Sequence, residues 1–124
     1  MDIELPTYPR GKGFVSPKSV VAITPFSGPG GITITSVNLI GGERLVINAS
    51  IEDTCRALRL KFARCRAYGS DAEILVQIEA VSAVADHPQN PCAILYFTGG
   101  RIANVCGSAE HIRTVFRNPE SEVS

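Results

Sequence analysis

The sequence predicts an α+β fold of two tandem βββα repeats, in which antiparallel sheets are each covered by one helix. Apolar, β-branched segments of strand length favour sheets, and a Gly-Gly turn joins a pair of them twice. Each pair is followed by Ser and an amphipathic run. Gly99-Gly100 and Ser108 lie 58 residues after Gly41-Gly42 and Ser50. The chain therefore divides into a flexible arm (1–13), repeats over 14–68 and 69–118, and an acidic tail (119–124).

The first repeat is predicted to contain three strands. The arm before it is interrupted by proline and glycine, whereas 14–26 is apolar and predicts an edge strand or a strand that starts after Pro17. Residues 32–39 mostly alternate apolar and polar side chains, which is typical of a strand with one buried face. Gly41-Gly42 then supplies a hairpin turn, and 45–47 returns as the next strand.

A long helix is predicted to close this repeat. Ser50 can cap its first turn, and Asp53 stands in the capping-box position. An apolar stripe at helical spacing predicts that the helix continues through the sixties and ends near Gly69. The stripe consists of Ile51, Cys55, Leu58, Phe62 and Cys65.

The second repeat follows the same order. Residues 72–84 predict a long central strand, and a hairpin about Gly99-Gly100 joins strands over 92–97 and 101–106. Ser108 can cap a short helix that ends at Asn118-Pro119.

Composition narrows the class of partner. Twelve Lys and Arg balance twelve Asp and Glu, which disfavours broad nucleic-acid binding, because phosphate contacts usually need a positive excess. No apolar run approaches the roughly 20 residues of a membrane span, and the acidic N-terminus lacks the features of a secretory signal. We expect a cytoplasmic protein (host cytoplasm if a phage encodes it) that makes no membrane contact.

The residues that could carry catalysis form no recognisable motif. His87 and His111 have no neighbouring nucleophile or acid, and no carboxylates have a diagnostic spacing. The four cysteines lack the CxxC spacing of zinc sites and are expected to be buried and reduced. A non-enzymatic protein without metal or cofactor is therefore predicted.

Cationic side chains of the second repeat instead predict a site for a small anion. Arg113 and Arg117 are one helical turn apart and can clamp phosphate oxygens. We expect Arg101 and Asn104 to hydrogen-bond a ribose or base, and Tyr96 or Phe97 to stack. Arg10 and Lys12 would close over the site from the arm. The alternative is a set of solvated faces with surface salt bridges, and the cations between Arg56 and Arg66 carry the same two interpretations.

Residues 17–58 resemble the small flagellar regulatory proteins called FlbD-like, which are single ββα units. The likeness lies in the Gly41-Gly42-Glu43-Arg44-Leu45-Val46-Ile47 hairpin and the Ser50-Ile51-Glu52-Asp53 helix start. It implies a transcriptional or motility regulator that binds DNA or a protein partner. The second copy and the cationic arm depart from that family.

In size and in its lack of catalytic motifs, the chain is similar to phage proteins that sequester nucleotide signals of bacterial immunity, the Thoeris anti-defence sponges. Phe97, Asn104, Arg113 and Arg117 look like suitable residues for such a ligand. This similarity implies a homo-oligomer that binds a cyclic or ADP-ribose-type nucleotide and withholds it from a receptor. That is the leading hypothesis, the FlbD-like regulator is the alternative, and a purely structural subunit of a larger assembly is a third possibility. The ligand's identity and the number of subunits stay open.

Overall fold

The computed structural model describes residues 2–118, which form ten strands and two helices in a mixed α+β fold. The strands are β1 (Ile3–Pro6), β2 (Lys12–Val15), β3 (Val20–Ser27), β4 (Thr33–Leu39), β5 (Arg44–Ile47), β6 (Phe62–Arg66), β7 (Glu73–Gln77), β8 (Val81–Asp86), β9 (Cys92–Phe97) and β10 (Ile102–Cys106). The helices are α1 (Ile51–Leu58) and α2 (Ala109–Arg117), and short 3-10 turns cover Pro17–Ser19, Pro29–Gly31 and Ile78–Ala80. All strand ladders are antiparallel. The predicted α+β class is confirmed, while the predicted acidic tail lies outside the described residues.

The strands form three sheets, with orders β1-β2, β5-β4-β3-β7-β6 and β10-β9-β8. This arrangement differs from the predicted pair of sheets, each confined to one repeat. Strands β6 and β7 follow α1 in sequence but join the sheet of β3–β5, because β7 pairs with β3. The largest sheet therefore spans both predicted repeats.

Two hydrophobic cores lie on opposite sides of the β3–β7 pair. Ile23 and Leu75 belong to the first core, whereas Val21 and Val76 belong to the second, and all four are fully buried. Side chains of successive strand residues point to opposite faces, so one pair of strands can serve two cores. Helix α1 contacts β1, β3 and β4 around the first core, and α2 contacts β6, β8 and β9 around the second.

The predicted long helix is wrong beyond Leu58. Arg59 adopts the left-handed conformation with φ 57°, and its N–H donates to the carbonyl of Cys55 at 3.0 Å, which closes the helix. Phe62 and Cys65 lie on β6 instead, where they are buried in the first and the second core. The apolar stripe continued at helical spacing because two strand side chains happened to extend it.

The segment predicted as an arm (1–13) instead contains β1 and the start of β2. These strands pair as a hairpin, and the Leu5 side chain is 2% exposed in the first core. A first break, the 3-10 turn at Pro17–Ser19, lies within 14–26, and β3 starts after it at Val20, as the alternative of a strand that starts after Pro17 predicts. A second break, the 3-10 turn at Ile78–Ala80, interrupts the strand predicted over 72–84. The second break places β7 and β8 in different sheets.

Local signals at turns and helix starts are confirmed. Both residues of each Gly-Gly turn have positive φ, which glycine adopts without steric cost. Ser50 Oγ accepts the Asp53 N–H, and Ser108 Oγ accepts the His111 N–H, both at 3.1 Å. Among residues 2–118, no helix is long and apolar enough to cross a membrane.

Candidate anion-binding cleft

A cleft of about 420 Å³ lies where three connections meet. They are the link between α1 and β6, the 3-10 turn between β7 and β8, and the last turn of α2. Leu60, Ile78 and Phe116 contribute apolar surface, and each is half-buried. The polar and charged lining consists of Arg59, Lys61, Gln77, Glu79 and Arg117. We call this the cationic cleft.

The backbone at the end of α1 places Arg59 in the lining. Its φ of 57° belongs to the left-handed region, which glycine usually occupies after a helix. A side chain there costs about 1–2 kcal/mol, because Cβ comes too close to the following carbonyl oxygen. The chain nevertheless carries arginine at this position, and its exposed side chain borders the cleft.

Positive charge dominates the cleft. Arg59, Lys61 and Arg117 are all exposed, and within residues 2–118 none of these three cations forms an ion pair. Glu79 is the one carboxylate among the described residues that line the cleft. The local excess is therefore positive, although the chain as a whole is neutral.

A second cleft, of about 500 Å³, also contains two arginines but is internally neutralised. Arg64 forms an ion pair with Glu73, and Arg66 Nη1 lies 3.4 Å from Asp71 Oδ2. An anion entering this cleft would have to compete with these carboxylates. The cationic cleft is the stronger candidate for an anionic ligand.

Gln77 fixes one wall of the cationic cleft. Its side chain is 6% exposed, and its Nε2 donates to the carbonyl oxygens of Val20 and, at 3.4 Å, of Pro17. A buried amide with its donors in use holds one orientation. The wall formed by β7 and the following turn is thereby tied to the start of β3.

Of the eight residues predicted to bind ligand, Arg117 lines the cationic cleft and the other seven do not. Arg113 is exposed one turn earlier on α2. Phe97 is 4% exposed and packs in the second core, so its ring offers no surface for stacking.

The remaining predicted residues lie on two hairpins. Tyr96 is 40% exposed on β9, and Asn104 is exposed on β10 of the same hairpin. Arg101 Nη2 donates to the Gly42 carbonyl at 3.3 Å and so contacts the other Gly-Gly turn. Arg10 is exposed in the β1–β2 turn, and Lys12 Nζ lies 3.7 Å from Glu4 on the neighbouring strand.

Sequence reasoning placed Arg59 and Lys61 on a helix and missed the cleft. A local signal was present: Leu58, Leu60 and Phe62 alternate with the two cations, a period of two that is typical of extended chain. The contributions of Ile78, Glu79 and Phe116 had no comparable signal, because they come from other connections.

Two of the buried cysteines, Cys55 and Cys65, are not suited to thiolate chemistry. Burial raises the pKa of Cys55 to about 12 and that of Cys65 to about 11. A cysteine acts as a nucleophile or a metal ligand in its thiolate form. Because both pKa values lie far above 7, these two side chains stay protonated and unreactive at neutral pH. No group of three or more His, Cys, Asp and Glu side chains within residues 2–118 is placed to hold a metal ion.

Comparison of the chain with protein-family models, curated proteins and solved structures finds no match.

Proposed function

We propose that this protein is a non-enzymatic binder of a small phosphate-bearing ligand, held in the cationic cleft. The observation that carries the proposal is that Arg59, Lys61 and Arg117, which lack ion-pair partners within residues 2–118, line one cleft together with apolar side chains. Small-molecule sites typically measure about 300–1,000 Å³ and combine apolar walls with a few convergent polar groups. The cleft agrees with both criteria.

The arrangement favours a nucleotide over inorganic phosphate. Arginine can bind phosphate oxygens bidentately, while lysine adds a compact positive charge. Phe116 and Ile78 supply apolar surface on which a base can rest, and the Glu79 carboxylate can accept a hydrogen bond from a ribose hydroxyl or an amino group. We therefore assign a cyclic or ADP-ribose-type nucleotide as the ligand class.

Binding without turnover is the proposed activity, so that the ligand is withheld from a receptor. A duplex would need a broad positive field, whereas a small anion needs only two or three well-placed donors. A neutral net charge with one local positive excess fits a small anion better than a duplex.

The test is a nucleotide panel followed by titration of matched variants. A ligand that binds the folded state raises the melting temperature, and calorimetry then gives its affinity. Arg117→Ala removes a charge-assisted contact and should weaken binding about 10- to 100-fold. Arg113→Ala removes another exposed arginine from the same helix, outside the cleft, and should leave the affinity unchanged.

Two results would contradict the proposal. The first is a melting temperature that no nucleotide in the panel changes, and the second is equal loss of affinity in both arginine variants. Salt-dependent DNA binding that Lys61→Ala abolishes would instead support the FlbD-like regulator.

We also infer that the chain is a duplication of a larger unit than βββα, one of five strands and a helix. The first copy would be β1–β5 with α1, and the second β6–β10 with α2. In support, an isolated bridge joins Thr7 to Ile47, and another joins Ala67 to Val105, in the corresponding places. The hairpins β1–β2 and β6–β7 thus each lie beside the last strand of their own copy.

Backbone hydrogen bonds support the same correspondence. The Tyr8 N–H donates to the Val46 carbonyl and the Tyr68 N–H to the Asn104 carbonyl, both at 3.0 Å. Both copies have a register shift at the start of the third strand and a serine-capped helix against equivalent strands. Arg59 and Arg117 correspond to each other, so each copy contributes one arginine to the cationic cleft.

A further inference from the structure

We infer that a second copy of this chain binds along β2 and β8, the two outermost strands, by repeating the contact that joins β3 and β7. The inference rests on the proposed duplication and not on the cationic cleft.

The β3–β7 contact is the template. Ala22 lies opposite Val76, and Ile23 lies opposite Leu75, in an antiparallel ladder. Leu75 and Val76 are fully buried, one in each core. This pairing joins the two copies of the duplicated unit within the chain.

The counterparts of β7 and β3 are β2 and β8, each 61 residues away in sequence. Within residues 2–118, β2 pairs with β1 alone and β8 with β9 alone, so each keeps one unpaired edge. Unpaired edges are templates for pairing with another chain. Helix α1 contacts β3 without preventing its pairing with β7, and α2 contacts β8, the counterpart of β3.

An exposed aromatic side chain marks the edge of β2. Phe14 corresponds to Leu75, yet Phe14 is 61% exposed whereas Leu75 is fully buried. On the opposite side of the contact, Ala83 and Val84 correspond to Ala22 and Ile23. Ala83 is exposed and Val84 half-buried, while both counterparts are buried. The edges of β2 and β8 are thus exposed, whereas the corresponding edges of β7 and β3 bury each other by pairing.

Transferring the β3–β7 register places Val15 opposite Ala83 and Phe14 opposite Val84. Two residues further along, Lys12 then lies opposite Asp86. Opposite charges in such a cross-strand pair stabilise a sheet, and like charges would oppose it. The Phe14 ring would enter the second core of the other copy, as Leu75 enters the first core of its own chain.

One chain offers one β2 edge and one β8 edge, so the partner that fits is another copy of the same chain. Two copies can exchange both edges in a closed dimer, or several can form a ring. Either assembly buries the exposed phenylalanine.

The test measures molar mass by light scattering and sedimentation across a concentration series of the full chain. The molar mass of the wild-type protein should be two or more times the 13.2 kDa of one chain. Phe14→Lys should weaken the association about tenfold or more, because buried aromatic anchors dominate such contacts. Ile32→Lys is the matched control. Ile32 is 49% exposed and lies in neither β2 nor β8, so this variant should retain the molar mass of the wild-type assembly.

Cross-linking then tests the register. Residues directly opposite in an antiparallel pair have the Cα spacing that a disulfide needs. Phe14→Cys and Val84→Cys, mixed and oxidised, should give a covalent dimer that neither variant gives alone under the same conditions. A monomeric wild-type protein, equal effects of both lysine variants, or no mixed dimer would overturn the inference. Nucleotide binding by Phe14→Lys should persist, so failure here is distinguishable from failure of the proposed ligand site.

Discussion

Replacing Arg59 by glycine should stabilise the fold and weaken ligand binding in the same variant. Glycine removes the Cβ clash at φ 57°, worth about 1–2 kcal/mol. It also removes a cation from the C-terminal end of α1, where positive charge contributes about 0.3–1 kcal/mol. The net expectation is a gain of about 0.5–1 kcal/mol in the free energy of unfolding, which corresponds to about 2–4 °C in melting temperature.

Arg59→Ala separates these two contributions. It removes the same charge but keeps a Cβ in the left-handed conformation, so alanine should be less stable than glycine by about 1 kcal/mol. Urea unfolding without nucleotide gives both free energies, and calorimetry gives both affinities. If glycine and alanine are equally stable, the argument from backbone conformation fails. If the glycine variant binds nucleotide as tightly as wild type, Arg59 has no part in the site.

Three further predictions concern the fold. Leu5→Ala should lower the free energy of unfolding, measured with urea, by about 2–5 kcal/mol, because the side chain is 2% exposed in the first core. A negligible change would instead support the predicted flexible arm. Ser50→Ala and Ser108→Ala should each cost about 1 kcal/mol by removing a helix cap, and an unchanged stability would show that water replaces the serine oxygen. The raised pKa values of Cys55 and Cys65 favour the folded state below about pH 9, and this contribution is lost as the pH rises towards 11–12. Wild-type stability should therefore fall faster above pH 9 than that of a Cys55→Ala, Cys65→Ala double variant, by about 1.4 kcal/mol per thiol and pH unit, and parallel curves would contradict it.

The sequence was informative wherever one short segment decides the structure. Gly41-Gly42 requires positive φ, and Ser50 offers an oxygen to the first turn of α1, so both features were predictable without tertiary contacts. The end of α1 was not, because the helical stripe that includes Phe62 and Cys65 competed with a strand pattern over the same residues. Pairing with β7 decided in favour of the strand, and that ladder depends on residues further along the chain.

The ligand site could be predicted only in part for a related reason. The sequence spacing predicts that Arg113 and Arg117, one helical turn apart, bind the same ligand. In the fold, Arg117 lines the cleft together with Arg59, which is 58 residues away in sequence. Spacing on one helix cannot reveal a partner that comes from another helix.

The correspondence of Arg59 and Arg117 links the cleft to the proposed duplication. On that proposal, a single five-strand unit would have one helix end and one such arginine, whereas in this chain the ends of both helices contribute an arginine to the same cleft. The lining is not symmetric. After Arg59 the chain runs through Leu60 and Lys61 into β6, whereas Arg117 is the last residue of α2. Two guanidinium groups from equivalent positions, together with one lysine from the connecting segment, suit a ligand with more than one phosphate. A diphosphate-bridged nucleotide should accordingly bind more tightly than its monophosphate, and Arg59→Gly should abolish that difference.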